Sequence, residues 1–284
     1  MPSLLDLRRR IRAVKSTQQI TKAMKTVSAS KLRRAQDRVI AARPYAQLMQ
    51  RVLSSVAVQS DPKTHPLLAG PVNSDAPVLL LLITADKGLC GSFNSSLLRE
   101  ASSFCALSDQ SVAMGLIGRK GRDFFVRQKV DVRFEEINIS GNLQYSHAEA
   151  VAKVVVDEYT AGNVSGVSLI YNEFKSVIQQ QIVVKKILPL PKDDLEDGDS
   201  TEYLFEPSPD IILRDLLPQH IETQLFQALL ESIAAEHAAR MTAMDAATRN
   251  AGEMIDGLTL HMNKVRQAAI TRELIEVVSG ADAL

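Results

Sequence analysis

At 284 residues the chain has room for one large or two modest domains, and its 45% apolar and 23% charged residues are ordinary for a water-soluble fold. No apolar run approaches the roughly eighteen residues of a membrane-spanning helix. Two cysteines, Cys90 and Cys105, with no CxxC and no histidine at ligand spacing, argue against a disulfide framework or a zinc ribbon.

Lys+Arg and Asp+Glu balance at 33 each, but residues 1–51 hold thirteen basic side chains against only Asp6 and Asp37. The same stretch contains no glycine, the first being Gly70. Through it a four-then-three spacing joins Leu4, Leu7, Ile11, Val14, Gln18, Thr21, Lys25, Ser28, Leu32, Ala35, Val39, Ala42, Ala46, Met49, Leu53 and Val56, twelve of the sixteen being apolar. That repeat keeps one seam against a partner helix, so residues 1–59 are expected to form a coiled-coil helix. Pro44 removes one backbone hydrogen bond and should bend it modestly. The basic, acid-poor start has the composition of a mitochondrial transit peptide. The heptad register, however, begins at Leu4 and runs past any cleavage point, which favours a structural helix. The seam is interrupted at Gln18, Thr21, Lys25 and Ser28, while Ile20, Met24 and Val27 carry the apolar stripe to another face. Two readings fit: a shift of register, or a place where the helix pair touches another molecule. The basic arm is either a solvated face or a surface for an acidic partner, nucleic acid being one such partner.

Residues 60–77, with four prolines and Gly70, read as a linker. From Val78 the pattern changes to short apolar runs bounded by turns. Val78–Ile83, 112–117, 130–139, 167–174 and 181–188 read as strands, the first covered on both faces. Helices are expected at about 92–107, 123–128 and 145–161. Strands alternating with helices make residues 78–208 a Rossmann-like α/β domain. The acidic segment 192–202 reads as a solvated loop.

Residues 209–284 read as one long helix tolerating Pro218 near its start, on the order of 95 Å long from Leu213 to Val278 at 1.5 Å per residue. Met241, Met244, Thr248, Ala251, Ile255, Leu258, Met262, Val265 and Ala269 repeat the seam spacing. Two seams at opposite ends of one chain are best satisfied by pairing antiparallel. Beyond Ala269 the spacing fails at Arg272 and Glu276, yet Ile270, Leu274, Ile275, Val277 and Val278 remain apolar, the signature of a tip that seats in another protein.

Sites for chemistry are few. The loop Asp86-Lys-Gly-Leu-Cys-Gly-Ser-Phe-Asn94 joins a strand to a helix, where phosphate-binding loops live. Its Lys87 precedes Gly88, the reverse of a Walker order, and no GxGxxG is present, so a structural turn is favoured. Gly118-Arg-Lys-Gly121 is a similar basic turn. The five histidines (65, 147, 220, 237, 261) are scattered, with no HExxH and no GxSxG. No catalytic residue, cofactor or metal site is assigned. Two rival classes remain at this level: a nucleotide-dependent α/β enzyme and a basic coiled-coil nucleic-acid-binding protein.

Three stretches carry a resemblance: Ile20-Thr-Lys-Ala-Met-Lys-Thr-Val-Ser-Ala-Ser-Lys-Leu-Arg-Arg-Ala-Gln36, the loop 86–94, and Glu231-Ser-Ile-Ala-Ala-Glu-His-Ala-Ala-Arg-Met-Thr-Ala-Met244. With Asn263-Lys-Val-Arg-Gln-Ala-Ala-Ile-Thr-Arg-Glu-Leu274 they resemble the gamma-subunit family of F-type ATP synthases, from about residue 3 to the end. The resemblance implies a central-stalk rotor. Its terminal helices form an antiparallel coiled coil inside a ring of three alpha and three beta subunits, and its α/β domain meets the epsilon subunit and the c ring. ATP chemistry then belongs to the beta subunits, nucleic acid is not a partner, and the chain is peripheral to a bacterial cell membrane on its cytoplasmic side.

By matching motif, Met24, Lys25, Arg266 and Gln267 fall where the rod meets the beta subunits, with Arg33 and Arg34 against their acidic lever region. Tyr203 and Glu206, in 202–207, resemble the foot on the c ring. Members often have apolar or acidic residues where Lys25 and Thr26 stand. The chain also lacks the cysteine-bearing insertion that photosynthetic members use for thiol regulation. ATPase activity of the assembled complex is therefore expected to be equal with and without reductant; a thiol-dependent change would contradict this.

Overall fold

The computed structural model describes residues 3–58, 65–177, 179–190, 206 and 208–281; the acidic segment 192–202 lies outside them. The elements are α1 (Leu4–Val58), α2 (Pro66–Ala69), β1 (Val78–Ile83), α3 (Phe93–Leu107), β2 (Val112–Ile117), α4 (Arg119–Phe125), β3 (Val132–Glu136), α5 (Tyr145–Thr160), β4 (Gly166–Phe174), β5 (Gln180–Leu188) and α6 (Pro209–Ala281). They fall into two compact units, residues 1–28 with 240–284, and residues 29–239.

In the first unit α1 and α6 pair antiparallel. Gln18 and Thr21 reach Thr248, and Lys25 reaches Asp245, so rising numbers on one helix meet falling numbers on the other. Leu7, Ile11, Met244 and Ala251 are buried in this seam.

In the second unit the sheet order is β3-β2-β1-β4-β5, with β1, β2, β3 and β4 parallel and β5 antiparallel at the edge. Right-handed crossovers place α3 and α4 on one face and α5, on the return from β3 to β4, on the other. Both faces of β1 and β2 are covered, which explains the unbroken apolar runs Val78–Ile83 and Val112–Ile117, each buried after its first residue. This is the Rossmann-like α/β arrangement combined with long terminal helices.

Among the boundaries that differ from the sequence expectation, two have a visible backbone cause. α4 starts at Arg119 and not near residue 123, because Gly118 turns the chain directly from β2 into the helix at φ 98°. A Cβ there would lie 2.1 Å from the Thr84 carbonyl oxygen, so only glycine fits. β3 ends at Glu136 and not at residue 139, because Asn138 adopts a left-handed conformation (φ 63°) and a 3₁₀ turn follows at Ile139–Gly141.

Here α1 and α6 also pack together and onto the sheet domain. Leu32, Ala35, Val39, Met49, Leu53 and Val56 are buried, as are Leu217, Ile221, Leu225 and Ala228 to Leu230 of α6. From about residue 228 to 238 α6 is buried nearly all round, the pattern of a helix enclosed on every side. Its tethers include the Tyr145 hydroxyl, which donates to Glu222 at 2.9 Å, and the Tyr145–Phe226 edge-on ring contact with centroids 5.3 Å apart. Arg38 of α1 donates to the Leu143 carbonyl at 2.6 Å. α1 continues through Pro44 and α6 through Pro218.

His220 is 3% exposed and lies near Lys185; burial first, then that ammonium, lowers its pKa to about 4. In the unfolded chain it titrates near 6.5. Between those values the unfolded state binds the extra proton, so this contribution is complete above pH 6.5 and disappears as pH falls toward 4. It amounts to on the order of 3 kcal/mol. Glu231, whose pKa is raised chiefly by burial, acts in the opposite sense. We therefore expect His220→Gln to flatten the fall in urea stability between pH 6.5 and 4.5; an unchanged pH slope would refute the assignment.

Candidate functional site

No described groups of three or more His, Cys, Asp or Glu residues are placed to hold a metal ion, and no described helix is long and apolar enough to cross a membrane. The candidate surfaces are therefore the helix pair, the basic arm and the glycine loop.

In the helix pair the expected seam is closely followed. Of its sixteen α1 positions all but Lys25 are shielded, and so are all nine on α6. The interruption is not a shift of register: Thr21 and Ser28 are 8% and 3% exposed and stay in the seam. The Thr21 hydroxyl is paired both along its own helix, to the Gln18 carbonyl, and across to the other. Thr21 and Thr248 share a hydroxyl–hydroxyl bond of 2.8 Å, and the Gln18 amide donates to the Thr248 carbonyl at 3.4 Å. Lys25 turns out of the seam and donates to Asp245 at 2.6 Å, with Arg249 3.7 Å from the same carboxylate. That hydrogen bond, ahead of the two cationic charges, lowers the Asp245 pKa. Both partners are substantially exposed, so the pair sets geometry more than it adds stability.

The sequence-derived contact residues divide accordingly. Met24 is half-buried beside the polar layer, and Lys25 is committed to Asp245. Arg266 and Gln267 are exposed in the same unit. Ile20 and Val27, at 57% and 56% exposure, form the outward apolar stripe. Seam burial continues through Ala269, after which every residue from 270 to 279 is exposed, including Ile270, Leu274, Ile275, Val277 and Val278.

Arg33 and Arg34 lie in the other unit, exposed and without an ion pair among the described residues. All thirteen basic residues of the arm are exposed. Glu206 is exposed and Tyr203 lies outside the described residues. Asp245 and Thr248 escaped sequence reasoning. In the sequence Thr248 reads only as a polar member of the seam spacing, and the pairing of Asp245 with Lys25 depends on inter-helix register.

The first residue of the glycine loop, Asp86, reaches across to the Gly118–Gly121 turn. The Asp86 carboxylate, 8% exposed, accepts the backbone N–H groups of Arg119 (3.1 Å) and Asn138 (2.9 Å) and the Ser140 hydroxyl (2.9 Å). The Thr84 hydroxyl oxygen accepts the Gly121 N–H at 2.8 Å. The amides that start α4, which a phosphate would use, are thus taken by the chain's own side chains. Leu229, Ser232 and Ile233 of α6 stand over Thr84, Asp86 and Gly118 and leave a cavity of about 10 Å³, too small for a phosphate. At the Gly118–Gly121 turn, Asp86 and Thr84 supply the acceptors for the helix-start amides.

A family model described as ATP synthase matches residues 3–284. The chain is 52% identical over 290 residues to an ATP synthase gamma chain of Solibacter usitatus, covering all of this chain and 99% of that one. It is 49% identical over 287 residues to the ATP synthase gamma chain of Pelotomaculum thermopropionicum, with both chains fully covered. Among solved structures it is similar to a chain of the Tetrahymena thermophila mitochondrial ATP synthase central stalk and c ring. That match has a TM-score of 0.60 at 30% identity and covers 80% of this chain and 99% of that one. A chain of the Euglena gracilis mitochondrial ATP synthase shares the fold, with a TM-score of 0.69 at 18% identity, covering 99% and 94%.

Removing the Asp86 carboxylate leaves three donors without their acceptor. We expect Asp86→Ala to cost about 3 kcal/mol in urea denaturation of the full chain. A loss below about 1 kcal/mol would show that the carboxylate does not hold the loop.

Proposed function

The chain belongs to the ATP synthase gamma-chain family, and on that premise we propose how it works as the central-stalk rotor of the complex. The observation that carries the reading is the antiparallel helix pair whose seam is shielded to Ala269 and whose last turns are exposed and apolar. An exposed apolar tip on a paired-helix unit suits a bearing formed by other subunits. Ion flow through the membrane c ring turns the α/β domain and the helices with it. The uneven side-chain surface of the helices then presents different faces in succession to three beta subunits, which carry out ATP synthesis or hydrolysis.

In this reading the chain itself performs no bond chemistry. Its Gly118–Gly121 turn at the carboxyl ends of the strands is closed by Asp86 and α6, which speaks against the nucleotide-dependent enzyme. Its partners are alpha and beta subunits, an epsilon subunit and the c ring. It is held at the cytoplasmic side of a bacterial cell membrane through those partners.

Among the contact residues, Arg33 and Arg34 are the best placed for an acidic lever on a beta subunit, being exposed and free of internal ion pairs among the described residues. Arg266, Gln267 and Met24 serve the upper contact. Lys25 contributes chiefly by fixing Asp245 and hence the helix register, because its ammonium is already engaged. Glu206, with Tyr203, forms the foot.

Reversing both charges sets like against like. With on the order of 1 kcal/mol per exposed contact, Arg33→Glu with Arg34→Glu is expected to lower proton-driven ATP synthesis severalfold in inverted vesicles, with the complex still assembled. Unchanged coupling between proton flow and synthesis would remove these two residues from the contact.

A further inference from the structure

Where α1, the start of α5 and α6 meet in the larger unit there is an open pocket of about 530 Å³. The rotor reading gives it no task. Ala42 and Ala46 of α1 line it, and side chains this small leave room that a leucine would fill. On α6, Glu222 and Phe226 are four residues apart and so share one face of the helix. Two further rings complete the wall, Tyr45 of α1 and Tyr145 in the first turn of α5.

The Tyr145 and Phe226 rings meet at 66° with centroids 5.3 Å apart, so their faces form a corner. Tyr45 and Tyr145 are 52% and 39% exposed, which leaves ring surface open to a ligand. The face of each ring carries the negative side of its quadrupole. Glu222 is the only charged residue in the lining and has no ion pair within 4.0 Å among the described residues. Its Oε2 accepts the Tyr145 hydroxyl at 2.9 Å, which holds the carboxylate against the ring without neutralising it. Loss of solvation, eased by a Thr223 hydrogen bond and reinforced by that carboxylate, pushes the Tyr145 pKa up to about 12, so the phenol stays uncharged. Neighbouring cations of α1 are directed elsewhere: Arg38 donates to the Leu143 carbonyl, and Arg43 lines a separate polar cleft. Aromatic faces around one uncompensated carboxylate attract positive charge. A metal ion needs several oxygen ligands, which a single carboxylate does not supply. An organic cation of diffuse, weakly hydrated charge suits the rings.

We propose that this pocket binds a small organic cation, its head group against the Tyr45, Tyr145 and Phe226 rings and beside Glu222. A planar amidinium or guanidinium and a quaternary ammonium share the chemistry required, one positive charge spread over a surface that gives up water easily. The planar head can also donate to the second Glu222 oxygen, whereas the methylated one relies on the rings and the charge alone. Occupancy of the pocket is independent of the rotor function.

Isothermal titration of the full chain with benzamidine, benzyltrimethylammonium and the uncharged benzamide tests the proposal and tells the two head groups apart. Saturable binding of at least one cation is expected with Kd below about 1 mM, and benzamide about tenfold weaker. Glu222→Gln should weaken the cation about tenfold and leave benzamide unchanged. Tyr45→Ala, a change at an exposed position, should weaken the cation about fivefold, and Tyr45→Phe should restore it, because the ring and not the hydroxyl faces the charge. Absence of saturable cation binding overturns the proposal, as does benzamide binding as tightly as benzamidine, or a Tyr45→Ala chain that binds like the original. Sedimentation showing a dimer that Tyr45→Ala abolishes would assign this face to a second copy of the chain and equally overturn it.

Discussion

Each end of this chain supplies the apolar surface that the other end must cover. A helix with one apolar stripe is marginal in water on its own, since nucleation and ordering costs consume most of what its backbone bonds return. Burying side chains such as Leu7, Leu32 and Leu53 contributes roughly 1.5–3 kcal/mol each, and those residues occur along the whole of α1. The remaining faces of α1 are then free to carry charge. That is why thirteen basic residues can occupy the first 51 positions and all remain exposed.

Within the smaller unit the seam is not uniformly apolar, and the departure has structural content. Gln18, Thr21 and Lys25 meet Thr248 and Asp245 through bonds that form in only one alignment of the two helices. A purely apolar seam tolerates sliding by a heptad, whereas a polar layer left unpaired is penalised, so the layer specifies register more than it adds stability. By the same arrangement Ile20 and Val27 face outward. A helix pair that must present particular side chains to surrounding subunits depends on such fixed alignment.

The α/β domain illustrates how topology and chemistry separate. Its strand order and its glycine-containing β1–α3 and β2–α4 turns have the form of a dinucleotide fold, whose ligands sit at the carboxyl ends of the strands. Here that edge is closed from within. Asp86 supplies the negative charge to the start of α4, Thr84 takes the Gly121 amide, and α6 covers what remains. The fold thereby serves as an attachment for the long helices, with tethers such as Tyr145–Glu222 and Arg38–Leu143. Function cannot be inferred from such a fold without its site.

The heptad spacing, the apolar strand runs and the turn residues were readable in the sequence, because periodicity and local backbone preference depend on neighbours a few positions apart. They yielded the two long helices, the α/β middle, the shielded seam and the apolar tip. Tertiary structure alone decided which partner each polar group has. Lys25 meets Asp245 across 220 positions of chain, and Asp86 meets Asn138 across 52. The start of α4 at Arg119 likewise depended on how closely Gly118 passes Thr84. Such pairings are set by register and packing between distant segments, and a single sequence carries no local trace of either.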